Sequence, residues 1–219
     1  MIPVQKAAAP TDFDERVRRP GLDAIAELVG ETRQKPRGGK KRSEFFSRRE
    51  KIPGEKFPPY WRRVLPEMLT SYGRRCAYLA LYIERATGSP TVDHVLPKSK
   101  RWDRVYEWDN YRLACSQMNS IKGDLETVLD PFNIGDDWFA LEFVAFQVKP
   151  GPGATDQIQK AMPKTLELLN LPEFCEARRE YVEDYLAGEI TLSRLTERAP
   201  FIARELRRQD KLLPADTSL

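Results

Sequence analysis

The chain has 219 residues, of which 41% are hydrophobic and 32% are charged, and its formal net charge is +3. This length suits one domain with elaborations or two small domains. The composition is typical of a soluble globular protein and argues against a disordered or membrane-embedded chain. The small net charge permits nucleic-acid binding without requiring it, because local clusters of Lys and Arg decide that property.

The cysteine count and the amino terminus bear on the cellular compartment. Three cysteines, Cys76, Cys115 and Cys175, are too few for a disulfide scaffold. The amino terminus lacks the positive stretch and apolar core that are typical of a signal peptide. We therefore expect a cytoplasmic protein with no membrane partner.

The first third of the chain predicts little regular structure. Residues 1–20 contain three prolines and no sustained periodicity, so we expect an extended arm. Residues 21–29 predict a short helix, which Gly30 ends. Residues 31–63 are rich in Lys and Arg with interleaved aromatic side chains, a pattern that fits either a nucleic-acid contact or a solvated linker. A helix is expected over residues 60–72.

The middle and the end of the chain predict two strands followed by helices. Residues 91–96 are short, rich in β-branched side chains and followed by Pro97, so we expect a strand there. We expect residues 111–115 to form a second strand, antiparallel to the first across the intervening loop. Residues 116–127 predict a helix, and residues 138–148 a further strand. The remaining segments predict helices that are interrupted at prolines: residues 158–187 and 192–213.

One cluster of residue types points to chemistry. His94 is the only histidine, and it directly follows Asp93. An imidazole is the usual acid or base near neutral pH. Asp93 and Asn119 offer hard oxygen ligands, which suit Mg²⁺ or Mn²⁺ better than zinc. Adjacent residues of a regular strand face opposite ways, so a bulge or a strand end is needed for Asp93 and His94 to reach one site.

Three segments around this cluster resemble the HNH endonucleases. They are CAYL at residues 76–79, VDHVLPKS at 92–99 and WDNYRLACSQMNSIKG at 108–123. The resemblance implies a ββα-metal fold that holds one Mg²⁺ or Mn²⁺ ion. It implies that Asp93 and Asn119 are the metal ligands, with Asn119 standing where many members have a final histidine. It further implies that His94 is the general base, and that Asn110 holds the loop and orients His94.

The sequence departs from a common pattern of this family, in which two C-x-x-C pairs hold a structural zinc. The corresponding positions are Cys76 with Leu79, and Cys115 with Met118. Two cysteines do not complete a four-ligand zinc site. We therefore expect no structural zinc, and an apolar cluster of these four side chains in its place.

The resemblance suggests a division of the chain. We predict an α+β protein, mostly helical, with a central ββα-metal (HNH) motif that lacks the structural zinc. Residues 1–70 would form an N-terminal arm and a basic helical region, and residues 71–135 the HNH nuclease core. Residues 136–219 would form a C-terminal strand and a helical region.

Cationic side chains near the motif are expected to meet the phosphates of DNA. Those assigned to nucleic-acid binding are Lys98, Lys100, Arg101, Arg112 and Lys122. For Lys122, a solvated helix residue is an equally good interpretation. The site residues also have structural interpretations, which are weaker than their functional ones. His94 would be a buried, hydrogen-bonded histidine, Asp93 a strand-end cap, and Asn119 a helix cap.

The expected function is that of a metal-dependent HNH endonuclease that hydrolyses DNA. The layout is similar to stand-alone HNH proteins of bacterial defence systems, including the HNH partner of an ATPase in Septu-type and some retron systems. This similarity implies an effector in anti-phage defence. Two alternatives stay open: an inactive HNH-derived subunit that holds nucleic acid or an ATPase partner, and a nuclease that cuts RNA.

Overall fold

A computed structural model describes residues 1–35 and 45–217 of the chain. It is 45% helical with two small antiparallel sheets, so the chain belongs to the mixed α+β class that the sequence predicts. Part of the predicted basic region, residues 36–44, lies outside the described residues. The division into three segments stays a prediction.

The described elements alternate short helices with two strand pairs. The strands are β1 (Pro90–His94), β2 (Tyr111–Cys115), β3 (Phe139–Leu141) and β4 (Val148–Pro150). The helices are α1 (Arg19–Leu28), α2 (Leu65–Ser71), α3 (Ser116–Lys122), α4 (Asp156–Ala161), α5 (Pro163–Leu169), α6 (Pro172–Leu186), α7 (Leu192–Arg198) and α8 (Pro200–Arg208). Single helical turns occur at Asp14–Arg18, Arg49–Lys51, Gly54–Lys56, Tyr60–Val64, Trp102–Arg104, Trp108–Asn110 and Pro214–Asp216.

Strands β1 and β2 form an antiparallel hairpin that positions the candidate site. The register pairs Pro90 with Cys115 and continues without interruption to His94 and Tyr111. The hairpin loop, residues 95–110, contains two of the short helical turns. Helix α3 follows β2 directly and packs on both strands. The predicted bounds of β2 are confirmed, whereas β1 begins one residue earlier and ends two residues earlier than predicted.

The expectation of an extended arm over residues 1–20 is correct only for the first part. Residues 1–10 are extended and lie against the hairpin region: the Val4 amide donates to the Pro131 carbonyl at 2.9 Å, and Trp108 Nε1 donates to the Ala7 carbonyl at 2.9 Å. Helical structure begins by Asp14, because the buried Val17 packs into the core and Pro20 stands in the first turn of α1, where proline is tolerated.

Two further element predictions are wrong in their bounds. The helix expected over residues 116–127 ends at Lys122, because Gly123 has a φ of 46° that stops it. The strand expected over residues 138–148 is in fact the hairpin of β3 and β4. Its turn forms because the Glu142 carboxylate accepts the backbone N–H groups of Val144, Ala145 and Gln147.

One hydrophobic core runs through the described residues, from Met1 to Leu206. The C-terminal helices join the hairpin region through backbone as well as side chains, since the Tyr82 amide donates to the Arg198 carbonyl at 2.8 Å. Among the helices that the structure describes, none has the length and apolar character needed to cross a membrane. The predicted helices of the C-terminal region are present, and they break at Pro163, Pro172 and Pro200.

The packing of α1 against the hairpin loop generates a stability prediction. A Cβ atom at Gly21 would lie 2.2 Å from the ring of Tyr106, which is buried among Phe57, Tyr60 and Trp61. We expect Gly21→Ala to lower the free energy of unfolding by about 1–3 kcal/mol from overpacking. This loss exceeds the gain in helix propensity, which is at most about 1 kcal/mol.

The measurement is urea unfolding monitored by circular dichroism. Gly54→Ala is the matched control, because a Cβ there makes only ordinary contacts, the nearest at 3.5 Å. Equal unfolding midpoints for Gly21→Ala and the wild type would contradict the close approach of α1 to Tyr106.

Candidate active site

Asp93 lies near the end of β1, and both oxygens of its carboxylate accept hydrogen bonds. Its side chain is 2% exposed. The Tyr78 hydroxyl donates to Oδ2 at 2.5 Å, and Lys122 Nζ donates to Oδ1 at 3.1 Å. Burial raises the pKa of Asp93, and the charge of Lys122 is the largest effect that opposes this rise. Each carboxylate oxygen therefore already has a donor from within the chain.

Lys122 is the last residue of α3 and is 1% exposed. Besides Asp93, its ammonium group binds the backbone carbonyl of His94 at 3.0 Å. These bonds join the end of α3 to the end of β1. A lysine so fully buried is rare and needs a paired acid, which Asp93 supplies.

His94 lies on the other face of the hairpin, in an aromatic environment. Its ring is edge-on to Trp61 and Tyr111, at centroid distances of 4.7 and 5.1 Å. Nε2 is 3.0 Å from the Val105 carbonyl, so this nitrogen carries the proton and Nδ1 is the acceptor. Burial, followed by the charge of Lys98, lowers the pKa of His94 to about 3. The imidazole is therefore neutral at physiological pH.

The register explains why Asp93 and His94 point apart. Directly paired residues share a face of the sheet, so Asp93 lies with Arg112, and His94 with Tyr111. The pairing is regular through both residues, so no bulge separates them, and β1 ends at His94. The strand end that the sequence requires is present, but in this conformation the two side chains still face opposite sides.

Asn110 closes the hairpin loop. It is 2% exposed, and its side-chain oxygen accepts the Leu96 amide at 2.7 Å. Its side-chain nitrogen donates to the carbonyls of Leu96 and Arg104, both at 3.0 Å. All three bonds go to backbone atoms of the loop, so any orienting effect of the Asn110 side chain on His94 acts through the loop backbone.

Asn119 lies one turn inside α3, and the helix cap that was an alternative for it is therefore excluded. Its side-chain nitrogen donates to Thr91 Oγ1 at 3.1 Å. Within the part of the chain that the structure describes, its side-chain oxygen accepts no hydrogen bond. Because residues three apart share a helix face, Asn119 and Lys122 lie on the same side of α3.

The five predicted phosphate contacts divide into two groups. Arg112 is 3% exposed and forms a two-bond fork with Asp130 at 2.6 Å, with its guanidinium 3.5 Å from the centroid of the Phe132 ring. Arg112 and Lys122 are thus bonded inside the protein. The other three lie at the surface or partly so: Lys100 pairs with Glu126, Arg101 pairs with Asp103, and Lys98 lies 4.6 Å from the centroid of the Trp61 ring.

Sequence reasoning missed two neighbours of the site. Tyr78, inside the CAYL segment, binds the Asp93 carboxylate, and Trp61 packs on His94 while also receiving Lys98. Nothing in the local pattern of either residue marks these contacts, because they join segments far apart in the chain. The exposed Arg62 beside Trp61 adds positive charge next to Lys98.

The cysteine positions form a compact cluster. Cys76, Leu79 and Met118 are buried, and Cys115 is half-buried beside them. A hydrogen bond from the Cys76 thiol lowers the pKa of Cys115 to about 7, whereas burial raises the pKa of Cys76. Across residues 1–35 and 45–217, no group of three or more His, Cys, Asp or Glu side chains is arranged to hold a metal ion.

Comparison with known proteins assigns no family. The sequence matches no model of a known protein family, and no curated protein matches it. The resemblance to HNH endonucleases thus depends on the motif residues alone and stays an expectation.

The buried fork of Arg112 generates the second prediction. Removing one partner of a buried ion pair leaves the other charge uncompensated. We expect Arg112→Met to lower the free energy of unfolding by about 3 kcal/mol. The double variant Arg112→Met/Asp130→Asn should lose less.

Urea unfolding measures both variants of this pair. Arg101→Met is the control, because it opens an exposed Arg–Asp pair and should leave the unfolding midpoint unchanged. If Arg112→Met behaves like this control, the fork with Asp130 is not a structural requirement of the fold.

The cysteine pair generates the third prediction. Because the thiolate is the reactive form, Cys115 should react with iodoacetamide with a midpoint near pH 7, and faster than the fully buried Cys76. Cys76→Ala removes the hydrogen-bond donor and should move this midpoint upward. Peptide mass mapping across a pH series gives both rates, and an unchanged midpoint in Cys76→Ala would contradict the contact.

Proposed function

We propose that the chain is a metal-dependent endonuclease of the HNH type that hydrolyses DNA phosphodiester bonds. The observation that supports this best is the order hairpin, loop and helix. It carries Asp93 and His94 at the end of β1, Asn110 at the end of the loop, and Asn119 on α3. This is the order that the motif resemblance implies.

In this proposal His94 accepts a proton from the attacking water. The Val105 carbonyl holds the ring through Nε2–H, so Nδ1 is the basic atom. A pKa of about 3 is far below the value near ambient pH at which a general base works best. The proposal therefore requires the ring to be more solvated in a complex with DNA than it is in this structure.

The resemblance assigns a divalent cation to Asp93 and Asn119. Asp93 supplies a carboxylate and Asn119 an amide oxygen, the ligand types that Mg²⁺ and Mn²⁺ prefer. In this structure the positive charge beside Asp93 is the ammonium group of Lys122, at 3.1 Å. When bound, such an ion would neutralise charge on the phosphate and on the leaving oxygen.

Substrate binding in this proposal relies on the cations that are not committed to buried pairs. Lys98, Lys100 and Arg101 follow the hairpin strand that ends at His94, and Arg62 adds a further charge beside Lys98. The exposed ion pairs of Lys100 and Arg101 are weak and are readily exchanged for phosphates. The layout resemblance extends the proposal to an effector of anti-phage defence in the cytoplasm, with an ATPase as candidate partner.

A second candidate function has one observation in its favour. Asp93 and His94 are 2% and 6% exposed, and the carboxylate of Asp93 is fully bonded within the protein. These features are those of structural residues. They favour an HNH-derived subunit that holds nucleic acid or an ATPase partner without cutting.

Plasmid cleavage tests the proposed function and generates the fourth prediction. Purified protein is incubated with supercoiled plasmid in Mg²⁺, in Mn²⁺ and in EDTA, with an RNA substrate in parallel. We expect metal-dependent nicked or linear DNA. His94→Ala should cut about 10²–10⁴-fold more slowly, because the general base is lost.

The control variant is Arg194→Met, which opens an exposed surface pair with Glu197 on α7 and should cut like the wild type. Circular dichroism shows whether His94→Ala is folded. Absence of cutting by the wild type in either metal, alone and with an ATPase partner, would favour the binding subunit instead. Cutting of RNA alone would reassign the substrate.

A further inference from the structure

We propose that Cys115 and Cys76 form a peroxide-sensitive dithiol. In it, a hydroperoxide oxidises Cys115, and Cys76 then closes a disulfide within the same chain. The inference rests on the mutual contact of the two thiols and does not depend on the proposed nuclease activity. Hydrogen peroxide is the smallest member of the oxidant class that this pair would react with.

Backbone hydrogen bonds hold the two cysteines side by side. The Ala77 amide donates to the Leu113 carbonyl at 2.8 Å, which places the CAYL segment along β2. The Cys76 amide donates to the Leu81 carbonyl, also at 2.8 Å. Cys115 is the last residue of β2, and its sulfur accepts a hydrogen bond from the Cys76 thiol. Because the two sulfurs are already in contact, a bond between them needs no separation of the elements that carry them.

The surroundings give the two thiols different roles. Cys115 is half-buried, and its sulfur accepts hydrogen bonds from the Cys76 thiol and from the backbone amides of Met118 and Gln117. These donors stabilise the thiolate, which is the form that attacks a peroxide. Cys76 is 2% exposed, and burial raises the pKa of its thiol, so it stays protonated. Cys115 is therefore the sulfur that reacts first, and Cys76 the sulfur that resolves the product.

The oxidation consists of two balanced steps. The Cys115 thiolate attacks one oxygen of hydrogen peroxide, so that an S–O bond forms, the O–O bond breaks and hydroxide leaves a sulfenic acid behind. The sulfur of Cys76 then attacks the sulfur of this group. An S–S bond forms, the S–O bond breaks, and the hydroxyl group leaves as water with the proton of Cys76. The peroxide accepts two electrons, and each sulfur supplies one of them.

Small molecules can also approach the buried member of the pair. Cys76 borders a cavity of about 490 Å³ between residues 2–7, the end of α2 and the start of α8. This volume is far larger than the space that one water molecule needs. The cavity therefore has room for a peroxide to enter and for the product water to leave.

The disulfide would join the two segments that hold Asp93. Tyr78, two residues after Cys76, donates to one oxygen of the carboxylate, and Lys122, at the end of α3, donates to the other. Cys115 directly precedes α3. Oxidation would therefore add a covalent bond between the elements whose relative position determines both contacts of Asp93.

The fifth prediction concerns the product of mild oxidation of the full chain. The reduced protein is treated with a small excess of hydrogen peroxide, free thiols are blocked, and peptides are mapped by mass spectrometry without reduction. We expect a disulfide between Cys76 and Cys115 within one chain. Cys175→Ala is the matched control, because the Cys175 thiol bonds to the Asn170 carbonyl instead, and this variant should form the same disulfide.

Two variants separate the roles of the paired thiols. In Cys76→Ser, Cys115 should stop at the sulfenic acid, which dimedone labels, and further peroxide should convert it to the sulfinic acid. In Cys115→Ser, oxidation of Cys76 should be at least about tenfold slower, because its thiol is protonated. Circular dichroism shows whether each variant is folded, and the wild-type peptide map decides by itself if either is not.

Three results would overturn the proposal. They are a wild-type map without the Cys76–Cys115 disulfide after peroxide treatment, a disulfide that links two chains, and equal oxidation rates of Cys76 and Cys115 in the folded variants. None of these results depends on whether the protein cuts plasmid.

Discussion

The buried ion pair between Asp93 and Lys122 is the constraint on which the hairpin and its helix depend. One bond joins a residue of β1 to the last residue of α3, and a second ties the same lysine to the backbone at His94. Opening a buried pair is costly, whereas an intact one contributes little net stability. The pair therefore acts mainly by specifying one arrangement of strand and helix.

The hairpin and the start of α3 could be predicted because local signals agree there. The predicted bounds of β2, residues 111–115, are those observed. The hairpin of β3 and β4 was missed because its turn is stabilised by the side chain of Glu142 in an otherwise apolar run. The helical residues 14–19 could not be predicted from the prolines of residues 1–20. Proline favours extended chain, but it is also tolerated in the first turn of a helix, where Pro20 lies.

The candidate site residues are a prediction from the sequence, whereas their electrostatic surroundings could not be predicted from it. The spacing of Asp93, His94, Asn110 and Asn119 identifies the candidates, and each lies on the predicted kind of element. The partner of Lys122 could not be inferred, because helical periodicity gives its face and not the distant strand that it meets. The aromatic contact of Trp61 with His94 likewise depends on tertiary packing of segments over thirty residues apart.

The docking of residues 1–10 has a consequence for synthesis on the ribosome. The backbone of Val4 bonds to Pro131, and the backbone of Ala7 bonds to the Trp108 side chain. Both partners are translated more than a hundred residues later. Residues 1–10 must therefore wait until the middle of the chain is synthesised before they can take their place. Contacts so distant in sequence slow folding, and the hairpin region becomes fully packed only late in translation.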